Sequence, residues 1–299
     1  MNAVYIFQQI INGLSIGSIY AVTAVGYTMV YGILKLINFA HGEVMMIGAY
    51  AGLLLGLNLF LPFWLALIIS IAVACLFGLA IERLAYKPLR GAGENTVLLS
   101  SLAVSMLLQN LVIMIFSPQP KTFLLPDYLI RPFVGDVITS PLFFITISFV
   151  VVCAILLTLF IKKTKIGIAM RACSENLTAA RLMGINVDMV ITVTFLIGAG
   201  LAGISGFILA GQYGKLEYNM GFVPGLKAFV ACVVGGIGNI YGALVGGILV
   251  GLAEMLVIGL LPPMFSGYRD AFVFVLLILL LLIKPSGIFG SVEGKDKVK

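Results

Sequence analysis

Three ionisable side chains stand where ionisable groups are costly. His41 and Glu43 open one apolar run, and Glu254 lies well inside another. In lipid, such groups mark solute paths, proton relays or paired structural contacts. His41 fits either a ring satisfied by a neighbouring helix or a contact to a passing solute. Glu254, a lone carboxylate, must find a partner, a water-filled path or a proton. Asn38 and Asn239 sit in Asn38-Phe39-Ala40-His41-Gly42 and in the glycine-rich stretch Gly235–Gly242. If those stretches unwind, they turn backbone groups toward a solute. Asn38, His41, Glu43, Asn239 and Glu254 are therefore the candidate solute-pathway residues. Glu82-Arg83 reads as an interfacial salt-bridge cluster with Lys87, and Arg269-Asp270 as a self-paired helix cap.

Bond-making chemistry has no such support. The chain has one histidine and no G-x-S-x-G, and its four cysteines form no C-x-x-C pair. Gly290-Ser291-Val292-Glu293-Gly294-Lys295 has the wrong spacing for a nucleotide-binding loop. No catalytic residue, metal site or bound cofactor is expected. If ATP powers this protein, another chain must bind it.

The elements that position these groups follow from composition. Hydrophobic residues make up 61% of the chain and charged ones 10%, against about 25% charged in soluble domains. Mean hydropathy is +1.16. The solvent is lipid, and the expected fold is an all-α polytopic bundle of one domain, residues 1–299. Eight apolar runs approach the length needed to cross a bilayer: Ile10–Tyr31, Ile37–Phe60, Phe63–Tyr86, Thr96–Phe116, Pro141–Ile161, Met189–Gln212, Tyr241–Leu261 and Arg269–Ile283. Leu226–Gly236 reads as half of a broken helix or a re-entrant piece, and Val4–Gln9 as an interfacial turn or short extra helix. Nine or ten crossings are then possible. Met1-Asn2-Ala3-Val4 has no basic region or cleavage site and reads as the start of the first membrane segment.

Glycine occurs 34 times. Gly13/Gly17, Gly48/Gly52/Gly56, Gly238/Gly242/Gly246 and Gly247/Gly251 stand four apart on one helical face. Small residues at that spacing let helix backbones approach closely in lipid, which makes Gly48, Gly52, Gly242 and Gly246 candidate packing positions. The run from Ile37 through Gly56 resembles that from Gly238 through Gly251, and Lys87-Pro88 and Lys284-Pro285 follow at similar distances. This is either a weak internal repeat of the kind transporters show or a likeness of glycine-rich composition.

Charge sets orientation. The loops after residues 31, 86 and 161 and the tail after 283 hold Lys35, Arg83, Lys87, Arg90, Lys162, Lys163, Lys165, Arg171, Arg181, Lys284, Lys295, Lys297 and Lys299, which is 13 of the 18 basic residues. Such an excess marks the cytoplasmic side, so the net charge of +6 reports topology and no nucleic-acid partner. The loop at 162–188 and the tail at 284–299 are both expected there. Within the loop, Ser174–Met183 is helix-forming and Gly184 is a natural stop. Ala179, Ala180 and Met183 fall near one another as a small face for a soluble partner. Thr178 and Arg181 point away, and Arg171, Glu175 and Arg181 are spaced to pin the helix by charge.

Ala179-Ala180-x-x-x-Gly184 resembles the Glu-Ala-Ala-x-x-x-Gly coupling loop of permease subunits in bacterial ABC importers. Thr178 stands at the acidic position, and Thr194-Phe195-Leu196 replaces the hydrophobic-Leu-Pro ending. Five further motifs look like the shorter membrane subunit of high-affinity branched-chain amino acid permeases. They are Gly13-Leu14-Ser15-Ile16-Gly17-Ser18-Ile19-Tyr20-Ala21, Asn38-Phe39-Ala40-His41-Gly42-Glu43, Arg171-Ala172-x-x-Glu175-Asn176, Gly235-Gly236-Ile237-Gly238-Asn239 and Lys284-Pro285-x-Gly287-Ile288-Phe289-Gly290. The resemblance runs essentially end to end.

It implies an inner-membrane subunit that pairs with a second, homologous permease, two cytoplasmic ATPases and a periplasmic or lipid-anchored solute-binding protein. Arg171, Glu175, Asn176, Ala179, Ala180, Arg181 and Gly184 would couple to the ATPases. Branched-chain amino acids are the implied solutes, with urea or short amides as the alternative. A proton-coupled secondary transporter using His41 and Glu254 is the rival from another class, and a structural scaffold the third.

Overall fold

In lipid a backbone satisfies itself only within helices or closed barrels, and this chain forms helices. The computed structural model describes residues 3–133, 137–260, 262 and 267–290. In order come α1 (Ala3–Leu34), α2 (His41–Leu54), α3 (Phe63–Ile81) continuing into a π-helical turn at Glu82–Tyr86, α4 (Glu94–Phe116), α5 (Asp127–Ile130) and α6 (Pro141–Lys163). Then follow α7 (Lys165–Glu175), α8 (Leu177–Leu182), α9 (Val187–Tyr213), α10 (Phe222–Gly235), α11 (Ile240–Leu260) and α12 (Arg269–Ile283). A two-residue antiparallel ladder joins β1 (Lys121–Thr122) to β2 (Lys215–Leu216), with Lys121 opposite Leu216.

Among the described residues seven helices are long and apolar enough to cross a membrane. They coincide with seven of the eight expected runs. The eighth is α12, which has 15 residues, and Leu226–Gly236 falls in α10, which has 14. Val4–Gln9 is no separate turn or helix, because it continues unbroken into α1. The two stretches expected to unwind do so only in part: the chain is non-helical at 35–40 and 236–239, but His41 and Gly42 already belong to α2, Gly235 to α10 and residues 240–242 to α11. Gly236 and Gly238 have φ of +106° and +89°, which side chains with a Cβ rarely adopt, so the second break depends on glycine.

α7, α8 and the residues 35–40 gather at one end of the bundle, here the basic end. The β ladder and Arg269 lie at the opposite end, and Lys227, buried inside the bundle, extends its ammonium toward that end to meet Asp270. After the β ladder the chain turns inward, and α10 starts beside the start of α2, where a Cβ on Gly225 would stand 2.9 Å from Gly42 Cα. α10 runs on to the basic end, α11 returns the chain, and α12 brings it back. Ile288 N then donates to Val234 O (2.8 Å) and Phe289 N to Gly235 O (3.0 Å). The start of the tail, Lys284–Gly290, therefore sits at the same end as α7 and α8. Simple alternation of eight runs would place it at the other end, so the short α10 decides the parity. Lys295, Lys297, Lys299 and the rest of the tail lie outside the described residues.

Burial separates centre from rim: 89% of the apolar window of α1 is buried, against 17% in α6. Glycine makes the centre close enough to pack. A Cβ built on Gly13 would stand 2.8 Å from Leu252 Cα, and one on Gly17 2.9 Å from Ile248 Cα. Gly251 and Gly247 of α11 face Gly17 and Ala21 in the same seam. Gly48 of α2 approaches Gly203 of α9, where a Cβ would come within 2.9 Å of its Cα. Gly52 faces the Phe207 ring, and Gly242 and Gly246 face the backbone of Gly235 and Ala231. With no hydrophobic drive between helices in lipid, this contact supplies the packing energy.

Candidate functional site

The polar segment at 162–188 folds as two helices, with its break at Asn176. Local side chains supply the caps. Thr164 Oγ1 accepts from Gly167 N (3.0 Å), Asn176 Oδ1 from Ala179 N (2.9 Å) and Asn186 Oδ1 from Met189 N (3.1 Å). Each satisfies an amide that a helix start leaves open. Gly184 closes α8 with φ +81° while Ile185 N reaches back to Ala180 O (3.1 Å), a glycine C-terminal stop. These caps hold the segment. Among the described residues no ion pair joins Arg171, Glu175 and Arg181, whose side chains spread into solvent.

Ala180 is buried at 4% exposure, whereas Leu182 and Met183 are 83% and 82% exposed. The small face expected from Ala179, Ala180 and Met183 is thus divided: Ala180 anchors α8 to the bundle, and Ala179, Leu182 and Met183 point outward. Helical spacing alone does not say which side of a one-and-a-half-turn helix meets the bundle. Cys173 and Met170 hold α7 down from beneath, and burial pushes the Cys173 thiol above its usual range. Asn176→Ala is expected to cost the α8 cap about 1 kcal/mol. Hydrogen exchange of the Leu177–Leu182 amides should quicken while that of α9 stays unchanged.

Beside α7 lies a cavity of about 500 Å³, bounded by Gly32 of α1, Lys35 of the first break, Arg171 and Glu175, and Asn239 and Phe289. Asn239 Oδ1 accepts from Gly242 N (3.1 Å), and its amide donates to Phe289 O (3.3 Å), so it caps α11 and tethers the tail. Arg90 bridges Glu82 and Asp188, the latter at 2.5 Å, and Thr192 donates to Glu82 as well. Glu82 therefore pairs with Arg90 and not with Lys87 or Arg83. Arg90 stands beyond the π-helical turn at Glu82–Tyr86, in the non-helical segment that follows, so helical spacing does not identify it as the neighbour.

The five pathway candidates do not form one site. Asn38 and His41 are buried beside Tyr27, whose ring lies edge-on to the imidazole at 4.6 Å. They line a void of only about 10 Å³, too small for any solute in this conformation. Glu43, fully buried, turns toward α4 and accepts from Gln109 (2.7 Å) and Ser105 (3.1 Å). Asn239 is at the basic end. Glu254 is at the opposite end, where Lys227 Nζ (2.7 Å) and the Tyr20 hydroxyl (2.9 Å) both reach it.

Lys227 also meets Asp270 Oδ1 at 2.7 Å, and Arg269 Nε stands 3.4 Å from Asp270 and 3.8 Å from Glu254. Arg269 and Asp270 do pair with each other, but as part of this larger network and not as a cap alone. Lys227, Tyr20, Ser105 and Gln109 were not legible as site residues from spacing. Lys227 did carry a usable signal, being a lone cation inside the apolar run Phe222–Gly235.

A bundle packed on glycine, with a polar cavity at each end and paired charges buried between, is a membrane transport architecture. Comparison narrows it. The family described as "Branched-chain amino acid transport system / permease component" matches residues 9–283, and the chain belongs to that family. The high-affinity branched-chain amino acid transport system permease protein BraD of Pseudomonas aeruginosa is 43% identical over 302 residues, 96% of each chain. LivH of Escherichia coli is 40% identical over 305 residues, 97% of each. A probable LivH of Methanocaldococcus jannaschii is 32% identical, with 89% of this chain and 87% of the relative covered. Among solved structures, PsaBC of Streptococcus pneumoniae in complex with Fab matches with TM-score 0.51 and 13% identity, covering 92% of this chain and 91% of that one. At that identity it shares the fold alone.

Proposed function

We propose that this chain is a permease subunit of an ATP-driven importer in the bacterial inner membrane, forming half of a path for leucine, isoleucine and valine. The solute class comes from the names of relatives 40–43% identical over nearly the whole length. The basic end faces the cytoplasm by the charge rule, which puts α7, α8 and the start of the tail on that side. There the chain meets two ATP-binding subunits, which hold the nucleotide. A second, homologous permease completes the path, and a periplasmic or lipid-anchored binding protein delivers the solute. The chain itself hydrolyses nothing.

One observation carries the coupling role: a capped, six-residue helix presents Leu182 and Met183 almost fully to solvent. Exposed apolar side chains on an otherwise basic polar surface fit a protein partner. Closure of the ATPases pushes on α8, Ala180 transmits the push into the bundle, and rigid helices rock about the path. Met183→Glu is expected to cut uptake of labelled leucine about tenfold or more, since a charge is buried unpaired in the contact. Gly184→Pro should do the same, because proline excludes φ +81°. Both variants should insert in the membrane at wild-type amounts. Unimpaired uptake with either would remove the coupling role. Uptake of urea but not leucine by the unaltered complex would move the solute class to amides, and uptake under a proton gradient without ATPases would make the chain a secondary transporter.

A further inference from the structure

The opposite end holds a cavity of about 230 Å³ whose wall includes Tyr20, Tyr213, Lys227, Arg269 and Asp270. Glu254 lies directly behind it, wholly buried, bonded to both Lys227 and Tyr20. Two cations and two anions thus share one network, and Lys227 is its hub with two carboxylates at 2.7 Å. A further pair, Lys215–Glu217 at 2.7 Å, stands on the rim. Helix packing has no need of such a group: a lysine 2% exposed, wedged among three helices, costs desolvation that apolar residues would avoid. Its position on a cavity wall says what the cost supports.

Resting on the amino-acid importer reading above, we infer that this cavity is the entry site for the zwitterionic head of the solute, with the Lys227 and Arg269 side chains taking its carboxylate and Asp270 its ammonium. Glu254 and Tyr20 stay behind as the fixed counter-charge and hydroxyl that hold Lys227 in place. Charge arithmetic supports a zwitterion over other solutes. An arriving carboxylate displaces Asp270 from Lys227, and the freed Asp270 takes the ammonium, so every charge remains paired throughout. A solute with a single charge leaves one group unpaired in a poorly hydrated wall. An uncharged amide has no charge with which to replace the existing pairs. Charge-assisted contacts of this kind are the strong and geometrically selective ones. Asp270 and Arg269 are the movable members, at 38% and 41% exposure, while Lys227 and Glu254 are fixed.

The test is competition for labelled leucine uptake in membrane vesicles containing the complete transporter. The competitors are 4-methylpentanoate, which is leucine without its amine, and leucinamide, which lacks the carboxylate. Asp270→Asn leaves the cavity with excess positive charge. It is expected to raise the KM for leucine about tenfold or more and to make uptake newly sensitive to 4-methylpentanoate but not to leucinamide. Lost packing alone would weaken uptake without that change of preference. Lys227→Met/Glu254→Met removes the pair without stranding a charge and should abolish saturable leucine uptake in protein that still assembles. If unaltered transporter imports leucine and Asp270→Asn matches it in KM and competitor profile, the entry site is wrong while the importer reading stands. If unaltered transporter does not import leucine at all, both fall.

Discussion

Lys227→Met destabilises the folded protein by about 3–5 kcal/mol, the cost of stranding one member of a buried ion pair. Its partner Glu254 has no solvent exposure and would keep only the Tyr20 hydroxyl at 2.9 Å and Arg269 at 3.8 Å. Arg269 compensates little, because it is 41% exposed and already engaged with Asp270. The double variant Lys227→Met/Glu254→Met should recover most of that loss, because two apolar side chains of similar length replace both charges and no desolvation remains uncompensated. Thermal unfolding of purified protein in detergent distinguishes the three, with the order double variant near wild type and single variant far below. A single variant as stable as wild type would mean that the pair contributes nothing to the fold.

Gly251→Leu is expected to prevent assembly of the bundle. Gly251 sits against the backbone of Gly17 in the seam between α1 and α11, which Gly13 and Gly247 continue on either side. Overpacking a core ordinarily costs about 1–3 kcal/mol when side chains can shift. Here the obstacle is backbone, which cannot rotate away, so two whole helices must separate and the neighbouring glycine contacts fail with them. In lipid those contacts are the attraction itself. Size-exclusion profiles should show aggregated or degraded chain, whereas Leu252→Ala in the same seam should remain monodisperse. A monodisperse Gly251→Leu protein with normal unfolding temperature would show that the seam is looser than the geometry requires.

Much of the architecture was legible from residue types because lipid restricts the choices. Apolar runs of sufficient length must be helices, the surplus of lysine and arginine marks one end, and glycines four apart mark close helix faces. The break at 236–239 was legible because Gly and Asn cluster there inside otherwise apolar sequence, whereas the break at 35–40 holds a single Asn and no glycine, and only Asn38–Ala40 of it fell within the stretch expected to unwind. The end occupied by the tail was less accessible. It depended on whether α10, only 14 residues long, carries the chain across, and length alone cannot tell a short crossing from a re-entrant turn.

The loop at Lys162–Asp188 shows the boundary between the two kinds of information. Its glycine stop at Gly184 was readable from local sequence, but Asn176, expected inside one helical stretch from Ser174 to Met183, instead breaks it and caps α8. Its outward face was not readable, because α8 is too short for periodicity to define a side, and only packing against the bundle shows Ala180 turned in and Leu182 and Met183 turned out. Glu82 gives the same lesson: its partner Arg90 comes from the turns that follow the helix, where periodicity identifies no neighbour.

The sequence by itself determined that this is a helical membrane protein, which end is basic, and which ionisable groups need explaining. The tertiary structure alone decided who answers whom. Glu254 lies 27 residues from Lys227 and 234 from Tyr20, and no periodic pattern connects positions on different helices. Hydrophobicity and helix geometry act over one turn, so they can be read along the chain. Charge pairing acts through space, and it can be read only once the glycine seams have set the helices side by side.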